Sequence, residues 1–169
     1  MEFTFNTVYD KNAMKALAKG LRKTLRAKRN RRSRIFGMLV VILGSLLIWS
    51  QKTVDVRSVV TAAAMLVIVF AILREDDING AIAKKRGLPG MEKSTTVFRE
   101  ENYQSATAYG ETTFFYDKIL VLAETEDYFL LLFSPSHGQV YCKQGMTGGT
   151  EDEFCAVLEE KTKLTFQRI

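Results

Sequence analysis

Two uncharged apolar stretches separated by only six residues constrain this chain more than any other feature. The first covers residues 35–51 and the second covers residues 58–73. As α-helices they would be about 24–26 Å long, slightly shorter than the ~30 Å hydrocarbon core of a bilayer. Neither shows the polar face expected of a core helix in a small soluble protein, although two buried helices are the alternative interpretation. The pattern predicts a transmembrane helical hairpin whose tight turn is residues 52–57.

The charge of the chain is distributed unevenly around this hairpin. Residues 1–34 contain eleven basic and two acidic residues, whereas residues 74–169 contain eleven basic and sixteen acidic residues. Basic residues next to membrane spans mark the cytoplasmic side. We therefore expect a multi-pass protein of the cell inner (plasma) membrane with both termini in the cytoplasm. In that reducing compartment Cys142 and Cys155 should be free thiols.

Residues 1–34 predict a short strand followed by a basic amphipathic helix. Phe3 and Phe5 alternate with polar residues, and Asp10 is placed to cap the helix. Such a helix, leading into a span, indicates a surface-lying or juxtamembrane helix that meets anionic headgroups. No nucleic-acid partner is expected, because the basic cluster adjoins the membrane and lacks interleaved aromatic residues. The residues assigned to the membrane surface and to lipid are Arg22, Lys23, Arg26, Lys28, Arg29, Arg31, Arg32 and Arg34.

Residues after the hairpin predict a helical extension and linker over 74–90, ended by Gly87 and Pro89, and then a β-rich cytoplasmic domain over 91–169. The last helix should begin at Thr150, which has the capping-box spacing to Glu153. Without βαβ alternation a parallel sheet is not expected. The N-terminal strand could join this sheet at the base of the hairpin. Strands are predicted over 94–100, 103–109, 113–125, 128–133 and 139–144.

Segment 114–133, FFYDKILVLAETEDYFLLLF, carries a pattern of packing residues made of Tyr116, Ile119, Glu124, Tyr128, Phe129 and Leu130. With the order of strand, basic helix, two-span hairpin and β-rich domain, it resembles the YcxB-like family of bacterial membrane proteins, over nearly the whole chain. Tyr116 stands where the family usually has Trp. The resemblance implies a pleckstrin-homology-like (PH-like) cytoplasmic domain and no activity. The expected fold class is an α+β membrane protein, a transmembrane hairpin plus a bent antiparallel sheet closed by a C-terminal helix.

Candidate catalytic and metal sites are weak. Ser134 and Ser136 adjoin His137, but a serine one residue from a histidine on a turn is not expected to point its Oγ at that ring. His137 together with Cys142 and Cys155 lacks the spacing of a zinc site. We expect no catalytic residue, metal or cofactor, and no enzyme.

Two further motifs favour ordinary structural roles. The loop GMTGG (145–149) precedes a helix but lacks the lysine of a phosphate-binding loop, and three acidic residues crowd the helix start. Glu124, Glu126 and Asp127 are predicted to lie on a solvated turn rather than in a catalytic pocket.

Three functions remain open. The first is a membrane-anchored module whose β-rich domain binds a protein, a peptide or a lipid at the inner leaflet. The second is immunity or regulation against a membrane-active toxin or bacteriocin, and the third is an enzyme at the membrane surface. The expected partners are a bilayer with anionic headgroups and a protein or peptide bound through the β-domain, and a homo-oligomer also stays open.

Overall fold

Strands from both ends of the chain form the β-rich part of the molecule. The structure, a computed structural model, describes residues 2–51, 53, 55–87, 90 and 92–169. One sheet has five strands in the order β4-β3-β2-β1-β8, all antiparallel. The N-terminal strand therefore joins the sheet, as the sequence suggests. The five strands are β1 (Phe3–Val8), β2 (Lys93–Phe98), β3 (Asn102–Thr107), β4 (Gly110–Phe115) and β8 (Met146–Thr147).

A second sheet of four strands follows in the order β7-β6-β5-β9. Its members are β5 (Val121–Glu124), β6 (Tyr128–Ser134), β7 (His137–Cys142) and β9 (Gln167–Arg168). The expectation of one antiparallel sheet is wrong in two respects. The strands divide into two sheets, and the short β9 runs parallel to β5. The parallel pair arises because α5 (Glu151–Thr162) carries the chain back before β9 begins.

The strand predicted over 113–125 is interrupted. Residues 116–118 form a 3₁₀ turn between β4 and β5, and the chain passes there from the first sheet to the second. The physical reason is burial: Tyr116 and Ile119 both turn into the core. The Tyr116 hydroxyl donates to the carbonyl oxygen of Arg99 at 2.6 Å.

Aromatic side chains fill the space between the sheets. Phe5 of β1 lies against four other rings, with centroid distances of 4.7–6.1 Å. Those rings are Phe98, Phe129, Tyr141 and Phe154. Phe154 and Leu158 of α5 belong to the same cluster. The capping box that begins α5 is confirmed, since Thr150 and Glu153 exchange both hydrogen bonds.

In the described residues between β1 and β2 the chain forms four helices: α1 (Lys11–Lys23), α2 (Ala27–Ser50), α3 (Val56–Leu73) and α4 (Glu75–Arg86). Asp10 caps α1 by accepting a hydrogen bond from the Ala13 N–H at 2.7 Å. Among the described helices, α2 and α3 are long and apolar enough to cross a membrane. Lys52 and Val54 of the predicted hairpin turn lie outside the described residues, as does Pro89, which was predicted to end the helical extension.

The pair α2 and α3 packs through small residues of α2. A Cβ added at Gly44 would lie 2.7 Å from the Met65 sulfur, and one at Gly37 would lie 3.0 Å from Ile72. The two glycines are seven residues apart, so they share one face of α2. The remaining apolar faces are uncovered: Phe36, Leu66 and Trp49 are 69%, 71% and 90% exposed.

The helix α1 does not lie on a lipid surface by its apolar face. Ala13, Ala16 and Leu21 are buried in one cluster with Leu130 and Val140 of the second sheet. The other side of α1 contacts α4. The surface-lying alternative is therefore wrong, because the apolar stripe of α1 is already covered by protein. The helix also ends at Lys23, so Arg26 lies in the connection and the basic residues from Lys28 to Arg34 belong to α2.

Candidate membrane-surface site

The eight predicted basic residues lie at the junction between the β-rich part and the apolar hairpin. Arg22 and Lys23 are the last residues of α1, and Arg26 immediately precedes α2. The other five occupy the first two turns of α2, directly before its apolar part. The structure therefore places all eight within one short stretch of the chain at the base of the hairpin.

Arg22 is held by an internal carboxylate. Its Nε and Nη2 atoms each donate to Asp76 of α4 at 2.6 Å, in a bidentate pair. Both side chains are only about one-sixth exposed, at 16% and 17%. The hydrogen bond to Asp76 raises the pKa of Arg22 above its usual value. Arg22 therefore joins two helices, and its charge is already compensated.

Arg34 has a similar internal partner one residue earlier in α4. Its Nη2 lies 3.1 Å from Glu75 Oε2, and the Asn30 side-chain amide donates to the same oxygen at 2.9 Å. Lys15 of α1 pairs with Asp77 at 2.7 Å, and the hydrogen bond from Lys15 lowers the pKa of Asp77. Three consecutive acidic residues of α4 thus hold α1 and α2 together.

The sequence alone did not predict that this acidic triplet, Glu75–Asp77, pairs with the basic residues of α1 and α2. A usable signal was present: three acids follow the second span after Arg74, while the region before the first span carries nine more bases than acids. The acids also occupy the first turn of α4, where the helix dipole favours negative charge.

Arg26 connects the site to the turn between β6 and β7. Its Nε donates to the Pro135 carbonyl oxygen. In that turn the Ser136 Oγ lies 3.2 Å from His137 Nδ1, so the expectation that this pair cannot meet is wrong. Ser134 makes the contact possible, because its Oγ accepts from the N–H groups of Ser136 and His137 and tightens the turn.

Five basic side chains remain turned to solvent. Within the described part of the chain, none of them has a carboxylate at ion-pair distance. Their uncompensated charge is what this surface can offer to an anionic partner. The five are Lys23, Lys28, Arg29, Arg31 and Arg32.

A second charged cluster lies at the far end of the second sheet. Glu124 is 14% exposed and accepts from Lys143 at 3.0 Å and from Arg168 at 2.8 Å, so it is not on a solvated turn. Burial would raise the pKa of Glu124, but the hydrogen bonds from Arg168 and Lys143 outweigh it and lower the pKa. Lys143 also pairs with Glu151 at 2.9 Å. The cluster is internally neutralised and serves to join β5, β9 and α5.

The remaining candidate groups have structural surroundings. Cys142 and Cys155 are free thiols, and burial raises the pKa of Cys155 to about 11. No cluster of three potential metal ligands occurs in the described parts of the chain. In the GMTGG loop, a Cβ at Gly148 would meet the Glu2 backbone oxygen, so the glycines permit close approach to β1.

The segment from the end of β2 to the start of α5 carries the packing pattern noted in the sequence. Tyr116, Ile119, Phe129 and Leu130 are buried there, whereas Tyr128 is half-buried. Residues 98–154 match the family model described as YcxB-like protein. This segment is YcxB-like, which confirms the resemblance over these residues. No curated protein matches the chain. The YcxB-like segment excludes the hairpin and β1, so the wider resemblance remains a prediction.

Proposed function

We propose that this chain is a non-enzymatic integral membrane protein that presents a cytoplasmic binding surface at the inner leaflet. The exposed apolar faces of α2 and α3 support insertion, since a soluble monomer rarely leaves so large an apolar surface uncovered. The basic residues at the hairpin base support an orientation with both termini in the cytoplasm. The two sheets with α5 packed in their shared core support a PH-like module.

The observation that carries the proposal is the attachment of the β-rich part to the hairpin. The helix α1 packs against the second sheet on one side and against α4 on the other. Near the middle of α4, a Cβ at Gly80 would lie 2.8 Å from the Lys15 backbone nitrogen. The backbones of α1 and α4 are therefore in direct contact at this point. A binding surface on the sheets would therefore keep one orientation towards the bilayer.

The surface best suited to a protein or peptide partner is the outer edge of the first sheet. The strand β4 is the terminal strand there, and five of its six residues are exposed. Unpaired edge strands can accept an extended peptide through main-chain hydrogen bonds. The proposed binding mode is therefore addition of a strand to β4.

Membrane topology is tested by cysteine labelling in intact cells. Both native cysteines are replaced by alanine, and a single cysteine is placed either at Gln51 or at the exposed Ala156 of α5. A membrane-impermeant maleimide should label Gln51→Cys in intact cells and Ala156→Cys only after permeabilisation. Labelling of Ala156→Cys in intact cells would overturn the orientation.

The binding role is tested by photocrosslinking in native membranes. A photoreactive amino acid at Thr112 of β4 should give a discrete adduct with one partner. The control position is Glu160, which is also exposed but lies on α5. An identical adduct pattern at both positions would count against binding at the β4 edge.

A further inference from the structure

A groove at the base of the hairpin combines uncompensated positive charge with apolar surface. It has a volume of about 290 Å³ and is bounded by the end of α1 and the first three turns of α2. Ala27, Arg31 and Met38 line it, and they recur at helical spacing on one face of α2. Along that face the residues change from charged to apolar within about three helical turns. A membrane lipid has the same order, because its charged headgroup is followed by apolar acyl chains.

Four basic side chains line the groove, and only two of them are free of an ion pair within the described residues. Arg22 and Arg34 line it, but each is paired with a carboxylate of α4. Lys23 and Arg31 also line it, and within the described residues neither has an ion-pair partner. Two positive charges therefore remain for a ligand. The first turn of α2 also lacks a side-chain cap.

The lower part of the groove is apolar and uncovered. Ile35 and Met38 are 50% and 62% exposed, and both lie beyond the last charged residue of α2. The face of α2 that packs on α3 is a different one, marked by Gly37 and Gly44. Among the described residues, those that line the groove belong to α1 and α2, and none belongs to α3.

We propose that this groove binds one anionic phospholipid of the cytoplasmic leaflet, with the phosphate at Lys23 and Arg31 and an acyl chain along Ile35 and Met38. The inference rests on the proposed insertion of the hairpin in a membrane. Charge complementarity selects an anionic headgroup over a zwitterionic one. The adjoining apolar wall selects a lipid over a soluble phosphate, because only a lipid covers Ile35 and Met38.

The test uses the full-length protein in detergent and native mass spectrometry. It is titrated with phosphatidylglycerol or with phosphatidylcholine of the same acyl chains. The wild type should retain one phosphatidylglycerol in preference to phosphatidylcholine. The double variant Lys23→Gln/Arg31→Gln should weaken retention about 25-fold, since each basic side chain near an anionic surface contributes a factor of about five and the two factors multiply.

The matched control is Arg29→Gln/Arg32→Gln, which removes the same charge from α2 outside the groove. It should keep the preference for phosphatidylglycerol within about twofold, because neither residue lines the groove. An equal loss in this control would overturn the site in favour of diffuse electrostatic attraction. Equal retention of phosphatidylcholine by the wild type would also overturn it.

Alkaline extraction of native membranes separates failure of the site from failure of the proposed function. Release of the chain into the supernatant would overturn both proposals. A chain that stays embedded but shows no lipid preference would overturn the lipid site alone. Displacement of the bound lipid by glycerol phosphate at equal concentration would show that the apolar wall contributes nothing, which also contradicts the proposal.

Discussion

The two carboxylate oxygens of Asp76 each accept one hydrogen bond from Arg22, both at 2.6 Å. The residues are 54 positions apart and are separated by the whole hairpin. Their pairing closes the base of the hairpin and ties it to α1. Because α1 also packs on the second sheet, this one contact links the apolar and β-rich parts.

Removal of either partner of this pair should destabilise the protein. Arg22→Gln or Asp76→Asn should lower the free energy of unfolding by about 2 kcal/mol, because a charge-assisted pair is lost and one partner stays partly buried. The exchange Arg22→Asp/Asp76→Arg should restore part of the loss. Thermal unfolding in detergent measures the stability of each variant. The control is Lys118→Gln, which breaks the exposed ion pair with Asp117. Equal effects in pair and control would contradict the prediction.

Gly80→Ala should lower stability, although alanine is the better helix former by about 1 kcal/mol. The added Cβ would lie 2.8 Å and 2.9 Å from the Lys15 backbone N and Cα atoms, which have no flexible end to move. The expected cost is about 2 kcal/mol. Ala83→Leu, at an exposed position of the same helix, should be neutral. A melting temperature of Gly80→Ala above the wild type would show that the two helices can separate without cost.

Phe5→Ala should strongly destabilise the β-rich part, by about 3–5 kcal/mol, because the ring lies at the centre of the aromatic cluster. The fragment 91–169 lacks β1 and therefore Phe5, so it should fail to fold alone. Circular dichroism and the solubility of the fragment test whether it folds. Val8→Ala, at a half-exposed position of the same strand, is the control for Phe5→Ala. A soluble fragment with cooperative unfolding would show that β1 is dispensable.

Acid should destabilise the cluster around Glu124. Its pKa in the folded protein is lowered below the ordinary value of 4.5 by Arg168 and Lys143, which overcome the opposing effect of burial. The carboxylate therefore stabilises the fold at pH values above 4.5, and this contribution is lost as the pH falls through the lower folded pKa. Glu124→Gln should lower the melting temperature at neutral pH and flatten its fall in acid. Parallel pH profiles of variant and wild type would exclude this role.

Gly148→Ala should cost more stability than Gly110→Ala. Both glycines have positive φ, 99° and 144°, so both substitutions strain the backbone, by about 1–3 kcal/mol. Only Gly148 also lies against a backbone oxygen, that of Glu2, whereas nothing lies within 4 Å of a Cβ at Gly110. The difference between the two unfolding free energies therefore measures the close approach to β1. Equal losses would mean that strain alone explains both.

Local chemistry made several elements predictable. The capping box at Thr150 and the cap at Asp10 appear where the sequence places them, because each depends on side chains within three residues. The lack of charge over 35–51 and 58–73 placed the C-terminal ends of both apolar helices, Ser50 and Leu73, to within one residue. It did not place their starts, because α2 begins eight residues before the first stretch and α3 two residues before the second. The family pattern was also visible, since its packing residues Phe129 and Leu130 lie in an uninterrupted buried apolar run of β6.

Predictions failed where a residue's partner lies far away in the chain. The 3₁₀ turn at Tyr116 depends on a core that also contains Phe3 and Phe5, more than a hundred positions earlier. The apolar face of α1 suggested lipid, yet it packs on β6 and β7, which periodicity alone does not distinguish from a membrane surface. Three of the eight basic residues predicted to meet lipid, Arg22, Arg26 and Arg34, instead bind partners elsewhere in the protein. The sequence alone does not show which charges are paired in this way.

The sequence by itself determined that the chain has two uncharged apolar stretches, a basic region before them and a β-rich, acidic region after them. Those properties depend on composition and on short-range periodicity. Only the tertiary structure decided which charges remain available. Arg22 and Arg34 meet the acids of α4, whereas Lys23 and Arg31 do not. The reason is geometric: ion pairing depends on atomic distances of a few ångströms, and folding brings α1, α2 and α4 that close at the base of the hairpin.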